Sequence, residues 1–253
     1  GTDTASFSNA NLPQTSVSFD TPGNYVLRLT ADDGEYVSTD DVNITVTAAG
    51  GPGDPIVGLV GHWTLDNMQG NTLVDVSGQQ NNGTAQGNPT LVTGVVDDAL
   101  QVDGNGDFVL VDDDSSLDIN QEITISAWIK PESKSTQYVF TKADHDKIDG
   151  YELSLSGAGK VFARFNQDSA GNAYRVASTT PSPRDGQTWM HVATTYDGTN
   201  IRLYVNGQLE TTEPANFQIA SNDLGLGIGA ESNGSREYEG GIDEVRLYNQ
   251  ALN

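Results

Sequence analysis

The stretch TWMHVATTYDGTNIRLYVNGQLETT, residues 188–212, carries the clearest fold signal in this chain. Two dipeptides in it, Asp197-Gly198 and Asn206-Gly207, are typical of tight β-hairpin turns. The segment between these turns alternates apolar with polar residues, and its apolar members are Ile201, Leu203 and Val205. Because side chains two positions apart on a strand share a face, the stretch predicts three consecutive antiparallel strands with one apolar face.

Short alternating runs of the same kind recur along the chain, separated by clusters of Gly, Asn and Asp. Clear examples are ITISAWIKP at 123–131, YELSLS at 151–156 and KVFARF at 160–165. The periodicity of helices is almost absent. Strands at this spacing are typical of an antiparallel sandwich or barrel, so the pattern predicts an all-β protein.

The composition limits the partners and the chemistry. The 253 residues include 35 acidic and 12 basic side chains, which gives a net charge of −23. This charge disfavours nucleic acid and anionic membranes as partners. It suits a secreted protein in a saline or calcium-containing medium, although a soluble acidic surface explains it equally well. The absence of cysteine excludes disulfides and thiolate chemistry. No apolar run approaches the roughly 18 residues of a membrane span, so we expect no membrane insertion.

The N-terminal fifth of the chain is set apart by composition. Gly and Pro crowd together in AAGGPGDPIV, residues 48–57, which indicates a linker at 50–57. Before it, residues 21–48 predict a β-hairpin with its turn at 32–34. The PGNYVLRLTADDG segment resembles the C-terminal half of a PKD-type or cadherin-like module, which implies a partial immunoglobulin-like β module over residues 1–49. Half a sandwich leaves an apolar face uncovered, so we expect a shortened module or completion by another chain.

Residues 58–253 resemble the laminin-G-like family of concanavalin A-type jelly rolls. Seven segments occur in the order that the family shows: GLVGHWTLD, DVSGQQNNGT, DDALQVDGNGDFVLV, ITISAWIKP, GYELSL, TWMHVATTYDGTNIRLYVNGQ and GGIDEVRLYNQAL. The resemblance implies two antiparallel sheets packed face to face. The fold expected for the whole chain is therefore a two-sheet jelly-roll sandwich preceded by a partial immunoglobulin-like segment.

Most conspicuous single residues have a structural interpretation. The three tryptophans, Trp63, Trp128 and Trp189, lie in predicted strands and are expected to pack in the core or on a sheet face. His191 alternates with Trp189, which favours a buried histidine over a ligand or a base. Asp75 is expected to accept backbone hydrogen bonds in a turn. These interpretations leave few residues for catalysis.

The sequence argues against an enzyme. No Glu-x-Asp-x-x-Glu strand, which glucanases of this jelly-roll type use, is present. Asp243 and Glu244 are adjacent, and neighbours on a strand point to opposite faces. Jelly-roll lyases need Gln, His, Arg and Tyr together, and no motif joins His191 to Tyr196. Hydrolase or lyase activity nevertheless stays open as an alternative.

The resemblance also implies a calcium site at one end of the sandwich. In jelly rolls of this type the first and last strands lie side by side, and related glucanases hold a structural calcium with an early acid and an aspartate of the closing strand. This role carries over to Asp66 and Asp243. Calcium takes six to eight oxygen ligands, so backbone carbonyls and water would complete the shell. The alternative is that both carboxylates only cap turns.

A second group of acids lies in the loop KADHDKIDGYE, residues 142–152, whose spacing matches a calcium loop poorly. In related calcium-dependent lectin domains this loop lies at the rim, beside the segment that here is GAESNGSREYEG. The resemblance therefore implies a rim calcium held by Asp146, Asp149 and Glu231, against the alternative of a solvated polar loop. A third cluster, DGNGDF at 103–108, is better explained as a tight turn.

The leading functional hypothesis is a non-catalytic module that binds a polysaccharide or cell-surface glycan, within a secreted or cell-surface multidomain protein. The candidate contact residues are His145, Tyr174, Arg236 and Tyr238, because aromatic faces stack on sugars and polar groups bind hydroxyls. The alternative from another class is a structural or adhesive domain that binds protein partners, including other domains of the same polypeptide.

Overall fold

The computed structural model describes residues 5–7, 17–19, 23–32, 34–46, 57–132 and 136–252. The chain divides into two compact units, Gly1–Asp54 and Pro55–Asn253. Except for Val57, the linker predicted at 50–57 lies outside the described residues.

The first unit contains two separate antiparallel strand pairs. Its strands are β1 (Ala5–Phe7), β2 (Val17–Phe19), β3 (Gly23–Asp32) and β4 (Val37–Val46). β1 pairs with β2, and β3 pairs with β4 in the predicted hairpin. Gly34 has φ +88° in the turn, where its N–H donates to Asp32 Oδ1 at 2.8 Å. Similarity to a PKD or cadherin module stays a prediction.

The second unit is built almost entirely of strands. They are β5 (Leu59–Gln69), β6 (Thr72–Asp75), β7 (Gly83–Gln86), β8 (Thr90–Thr93), β9 (Asp98–Asp103), β10 (Phe108–Val111), β11 (Ile123–Pro131), β12 (Gln137–Asp144), β13 (Ile148–Leu155), β14 (Lys160–Phe165), β15 (Arg175–Pro181), β16 (Met190–Tyr196), β17 (Asn200–Val205), β18 (Gln208–Pro214), β19 (Leu226–Ile228) and β20 (Glu239–Tyr248). A 3₁₀ turn, η1 (Ser115–Leu117), and a short helix, α1 (Gln167–Ala170), complete it. In the described part of the chain, no helix is long and apolar enough to cross a membrane.

The strands form antiparallel ladders in the order β15-β14-β13-β12-β19-β10-β7-β6-β5-β20-β11-β16-β17-β18, with β8 on β9 and β9 on β20. The three strands predicted from residues 188–212 are β16, β17 and β18, each paired with the next. In this ladder Thr194 lies opposite Leu203 and Val205 opposite Gln208. The turn residues therefore set the register as expected.

Apolar faces from the two halves of this ladder meet in one core. The Trp63 ring on β5 lies 6.1 Å from the Phe140 ring on β12, and Phe165 on β14 lies 5.9 Å from Tyr196 on β16. All four side chains are fully buried. This arrangement confirms the prediction of an all-β, two-sheet antiparallel jelly-roll sandwich.

The closing strand β20 contains a bulge that breaks the alternation expected from the sequence. Strict alternation places Asp243 on the face of Val245, but Asp243 lies opposite Trp128 on β11, with a register shift before Arg246. The extra residue is Glu244, whose φ is +51°. Because opposite residues share a face, the bulge moves Asp243 away from the core face. The strict alternation that the sequence analysis assumed for Asp243 and Glu244 was therefore wrong at this position.

Candidate functional site

The first candidate site lies where strands β5 and β20 run side by side. Val245 on β20 pairs with Trp63 on β5. The first and last strands of the unit therefore lie side by side, as expected from the sequence. The pairing brings Asp66 close enough to Asp243 for its charge to raise the pKa of Asp243. Burial raises the pKa of Asp243, and the negative charges of Glu244 and Asp66 raise it further. The structure therefore brings the two predicted acids together.

Asp243 is fully buried, and only one of its two oxygens is hydrogen-bonded. Oδ2 accepts from the Val95 N–H at 2.6 Å and from the Val96 N–H at 3.1 Å, whereas Oδ1 has no partner. Asp66 Oδ1 accepts from the Asp98 N–H at 3.2 Å. Burying a carboxylate oxygen without a hydrogen-bond donor costs free energy. Asp243 Oδ1 is therefore an unpaired acceptor that a bound cation would satisfy.

The backbone around these acids is strained. Leu65, Asp97 and Glu244 have φ values of 64°, 50° and 51°, in a region that favours glycine. Each such residue costs on the order of 1–3 kcal/mol, and strain of this kind clusters at binding sites. Leu65 precedes Asp66 and Glu244 follows Asp243, so the strain borders both acids.

The loop between β8 and β9 fits tightly over Asp243. A Cβ atom at Gly94 would lie 2.6 Å from Asp243 Oδ2 and 2.5 Å from the Asp98 carbonyl oxygen. Only glycine therefore allows the loop to approach this closely. Among the described residues, no group of three or more His, Cys, Asp or Glu side chains could hold a metal ion. A calcium ion here would accordingly depend on two carboxylates, with carbonyl and water oxygens for the rest.

The acids predicted for a rim calcium are occupied by separate partners. Glu231 Oε1 accepts from the His145 N–H at 3.0 Å, which confirms that the two rim loops meet. Asp146 Oδ1 instead accepts from Gln167 at 2.7 Å, and Asp149 Oδ1 accepts from the Ser169 N–H at 2.9 Å. The structure thus brings Glu231 to the loop but does not gather the three acids into one group.

Two of the four predicted contact residues lie at the surface around Tyr138. The His145 Nδ1 atom lies 3.1 Å from the Tyr138 hydroxyl, and 28% of the histidine side chain is exposed. The exposed Arg236 holds its guanidinium 5.8 Å from the centre of the Tyr138 ring. The His145 Nε2 atom pairs with Asp146 Oδ2 at 2.9 Å, so Arg236 is the more available of the two to a ligand.

The other two predicted contact residues are engaged in packing. Tyr174 stacks on Phe217, with 4.0 Å between ring centres. Tyr238 is fully buried, and its hydroxyl donates to the Gly241 carbonyl at 3.2 Å. The Tyr238 ring is therefore inaccessible, and one face of the Tyr174 ring is covered by Phe217, so neither belongs to the candidate surface.

Beneath His145 and Arg236 lies a buried polar group that sequence reasoning missed. Arg164 Nε donates to Glu152 Oε1 at 2.5 Å, and Arg164 Nη2 donates to the Tyr138 hydroxyl at 3.2 Å. Burial raises the pKa of Glu152, although Arg164 opposes this effect. The sequence held a signal for this pair: Glu152 and Arg164 are charged residues within two alternating strands, and they lie directly opposite each other.

We define the Tyr138 surface as the outer face of strands β12 to β15 together with the two rim residues beside it. Its members are Tyr138, His145, Glu152, Phe162, Arg164, Arg175 and Arg236. Chemically, it offers the guanidinium donors of Arg236 and Arg175 above buried aromatic rings, with the buried ion pair of Glu152 and Arg164 beneath them.

The other sheet carries a second charged cluster on its outer face. Glu244 accepts from His62 Nε2 at 3.0 Å and from Arg246. Burial opposes ionisation, but these two partners outweigh it and lower the pKa of Glu244. The Trp128 ring lies edge-on to His191 at 5.2 Å. This cluster is internally paired, and Glu244 is engaged as an ion-pair partner.

Comparison with known proteins supports the fold assignment. The family model described as the concanavalin A-like lectin/glucanases superfamily, of the laminin G 3 type, matches residues 103–253. No curated protein matches the chain in a sequence search. Because the family match covers more than half of the chain, it establishes the family.

Three solved structures illustrate the similarity. The binding domain of Paraclostridial Mosquitocidal Protein 1 is 18% identical with a TM-score of 0.63, covering 78% of this chain and 50% of that one. Domain 4 of AbnA, a GH43 extracellular arabinanase from Geobacillus stearothermophilus solved with arabinotriose, is 21% identical with a TM-score of 0.58, covering 77% and 94%. The binding domain of botulinum neurotoxin DC, solved with rat synaptotagmin II, is 15% identical with a TM-score of 0.52, covering 78% and 49%.

The chain spans about half of the length of the two toxin binding domains, and it covers nearly all of the arabinanase domain. All three structures are described as domains of larger proteins, and two are named as binding domains. At these identities the likeness shows a shared fold. With the family match over residues 103–253, this chain belongs to the concanavalin A-like lectin/glucanases superfamily.

Proposed function

We propose that this chain is a non-catalytic glycan-binding module of a secreted or cell-surface multidomain protein, and that calcium stabilises it. The observation that carries the proposal is the Tyr138 surface, where the exposed Arg236 lies above the buried Tyr138 ring and Arg175 lies above the Phe162 ring. Sugars present hydroxyl groups, which are bound by such donors. Polar groups held on a rigid sheet suit this task.

The similarity to Domain 4 of AbnA supports the same function. That domain was solved with arabinotriose, and the alignment covers 94% of it. The shared region therefore corresponds to nearly all of one domain of an extracellular enzyme. Extracellular placement of the present chain is also in keeping with its net charge of −23.

The environment of Tyr138 supports binding over catalysis. Tyr138, His145, Arg164 and Gln167 are the residue types that jelly-roll lyases use, and they do lie together. The Tyr138 side chain is nevertheless buried, and burial is the main reason that its pKa is raised far above its ordinary value. A hydroxyl that loses its proton so reluctantly is poorly suited to act as a base.

The calcium part of the proposal rests on Asp243. Its buried Oδ1 atom lacks a donor, Asp66 lies close by, and the bordering backbone is strained. A divalent cation would satisfy that oxygen and offset the mutual repulsion of the two carboxylates. It would thereby fix the loop of residues 94–98 against the ends of β5 and β20.

Glycan-array binding, with calcium and with a chelator, tests the function directly. We expect binding of at least one glycan class, and we expect Arg236→Ala to weaken it without a change in thermal stability. Failure to bind any glycan or insoluble polysaccharide in calcium buffer would overturn the proposal.

A protein receptor is the second candidate, because the botulinum neurotoxin DC domain was solved with synaptotagmin II. Exposed apolar residues on β3 and β4 also suit a protein partner, and they include Val26, Leu29 and Val42. Capture of a protein by the whole chain, lost when these three residues are replaced by serine, would favour this candidate over glycan binding.

A further inference from the structure

Two arginines lie directly opposite each other on the Tyr138 surface. In the ladder between β14 and β15, Arg164 pairs with Arg175. Like charges in directly opposed positions destabilise a sheet. The chain has only 12 basic residues against 35 acidic ones, so placing two of them side by side is costly and calls for a compensating role.

The two guanidinium groups differ in what they contact. Arg164 is bound to Glu152, to the Tyr138 hydroxyl and, at 3.3 Å, to Asn172 Oδ1. Arg175 makes no hydrogen bond or ion pair within the described residues, and its guanidinium lies 4.2 Å from the centre of the Phe162 ring. Arg175 is therefore held in place by stacking while its donors stay free.

Among the described residues, four other arginines in this acidic chain have carboxylate partners, and Arg164 and Arg246 are two of them. Arg28 is bound to Asp41 at 2.7 Å and Arg202 to Asp197 at 2.6 Å. Arg175 has no such partner, although it is partly buried. Burial lowers the pKa of Arg175, and the charge of Arg164 lowers it further, yet an arginine stays charged at neutral pH. The negative charge of Glu152 acts on Arg175, but that carboxylate is bound to Arg164. The result is a partly desolvated cation with no carboxylate bound to it.

We propose that Arg175, beside Arg164, binds an oxyanion carried by an acidic glycan, namely the carboxylate of a uronic acid or a sulfate ester. This inference rests on the proposed glycan-binding function and specifies the substrate class. A guanidinium presents two parallel N–H donors that match the oxygens of either group. Stacking on Phe162 fixes the plane of this fork, so little conformational entropy is lost on binding.

An anion at this position would also relieve the repulsion between the two arginines. The exposed Arg236 lies on the same surface above Tyr138, where it is placed to contact the sugar that carries the anion. The binding of an acidic glycan is accordingly expected to weaken with rising salt concentration, because exposed charges are screened.

Affinity electrophoresis and calorimetry with three polymers test the inference. Polygalacturonate supplies carboxylates, carrageenan supplies sulfates, and linear arabinan is neutral. We expect at least one acidic polymer to bind more tightly than arabinan. Arg175→Gln should reduce that affinity roughly tenfold or more, and Arg175→Lys, which keeps the charge but not the fork, should reduce it less.

Arg28→Gln is the matched control, because it removes the same charge from a different unit of the chain. Thermal unfolding of Arg175→Gln provides a second readout: removal of a like-charge neighbour should leave stability unchanged or raise it. Unchanged affinity of Arg175→Gln for acidic polymers would overturn the inference and leave glycan binding intact. An equal loss of affinity of Arg175→Gln for neutral arabinan would also overturn the inference. If the native chain bound none of the three polymers and no arrayed glycan, the proposed function itself would fail.

Discussion

Leu65 and Glu244 lie on adjacent strands and both adopt the left-handed backbone conformation, with φ values of 64° and 51°. Neither residue is a glycine, and each is next in sequence to one acid of the pair Asp66 and Asp243. A strained backbone conformation persists where the surrounding structure, or a ligand, holds it in place. The coincidence of strain with an unpartnered carboxylate oxygen on Asp243 is the physical basis for the calcium proposal.

Calcium is expected to raise the melting temperature of the chain in a concentration-dependent way. A ligand that binds only the native state stabilises it by about 2.7 kcal/mol at a hundredfold excess over its dissociation constant. Asp243→Asn and Asp66→Asn should abolish the response, as measured by calorimetry with and without a chelator. Asp146→Asn is the control, because that side chain is 71% exposed and lies at the rim. An equal response in the Asp243→Asn variant would contradict the proposal.

Without metal, the stability of the chain should depend on pH through Asp243. Burial, Glu244 and Asp66 raise its pKa above the ordinary 3.8, so the native state holds this proton more tightly than the unfolded state. The contribution to stability is therefore largest below pH 3.8 and is lost as the pH rises through the native pKa. In denaturant unfolding with chelator present, the free energy of unfolding should decline more steeply with rising pH for the native chain than for Asp243→Asn. Parallel profiles would argue against a raised pKa.

Breaking the buried pair of Glu152 and Arg164 should be strongly destabilising. Glu152→Gln leaves the buried guanidinium without its counter-charge, and such a loss costs about 3–5 kcal/mol. The double variant Glu152→Gln, Arg164→Met should recover part of this loss because it removes the uncompensated charge as well. Urea denaturation of the two single variants and the double variant gives the coupling energy. Additive effects would show that the pair does not act as a unit.

Loss of Arg236 should reduce glycan affinity without a change in stability. Its side chain is exposed and its guanidinium lies above the Tyr138 ring, so Arg236→Ala removes ligand donors and little packing. A charged hydrogen bond of ordinary strength corresponds to a roughly tenfold change in affinity. Lys147→Ala is the matched control, since Lys147 is 72% exposed and lies in the rim loop that also holds His145. Equal effects of both variants would indicate a non-specific charge effect.

Local signals allowed much of the fold to be predicted, whereas the sites depend on contacts that sequence does not show. Asp197-Gly198 and Asn206-Gly207 specify their turns within a few residues, and the strands beside them formed as expected. The bulge at Glu244 had no such signal, because the residue there is not glycine. The position of Tyr238 in the core reflects packing from distant strands, which its rim-like sequence context did not reveal.

The same limit applies to the Tyr138 surface. The connection between Arg164 and Arg175 contains the short helix α1, and only the register of β14 on β15 sets the two arginines opposite each other. That Arg175 lacks a carboxylate partner is likewise a property of the folded sheet. Burial and pairing, rather than residue type, decide which charged groups are available to a ligand.

The position of β20 has a consequence for the order of events during synthesis. This strand pairs with β5, β9 and β11, and the contact between His62 and Glu244 joins residues 182 positions apart. Long-range pairing of this kind slows folding. During translation, β5 therefore cannot pair with β20 until β20 has emerged from the ribosome. A nascent chain stopped before residue 239 should remain sensitive to protease, and the complete chain should become resistant only after its closing strand has left the ribosome.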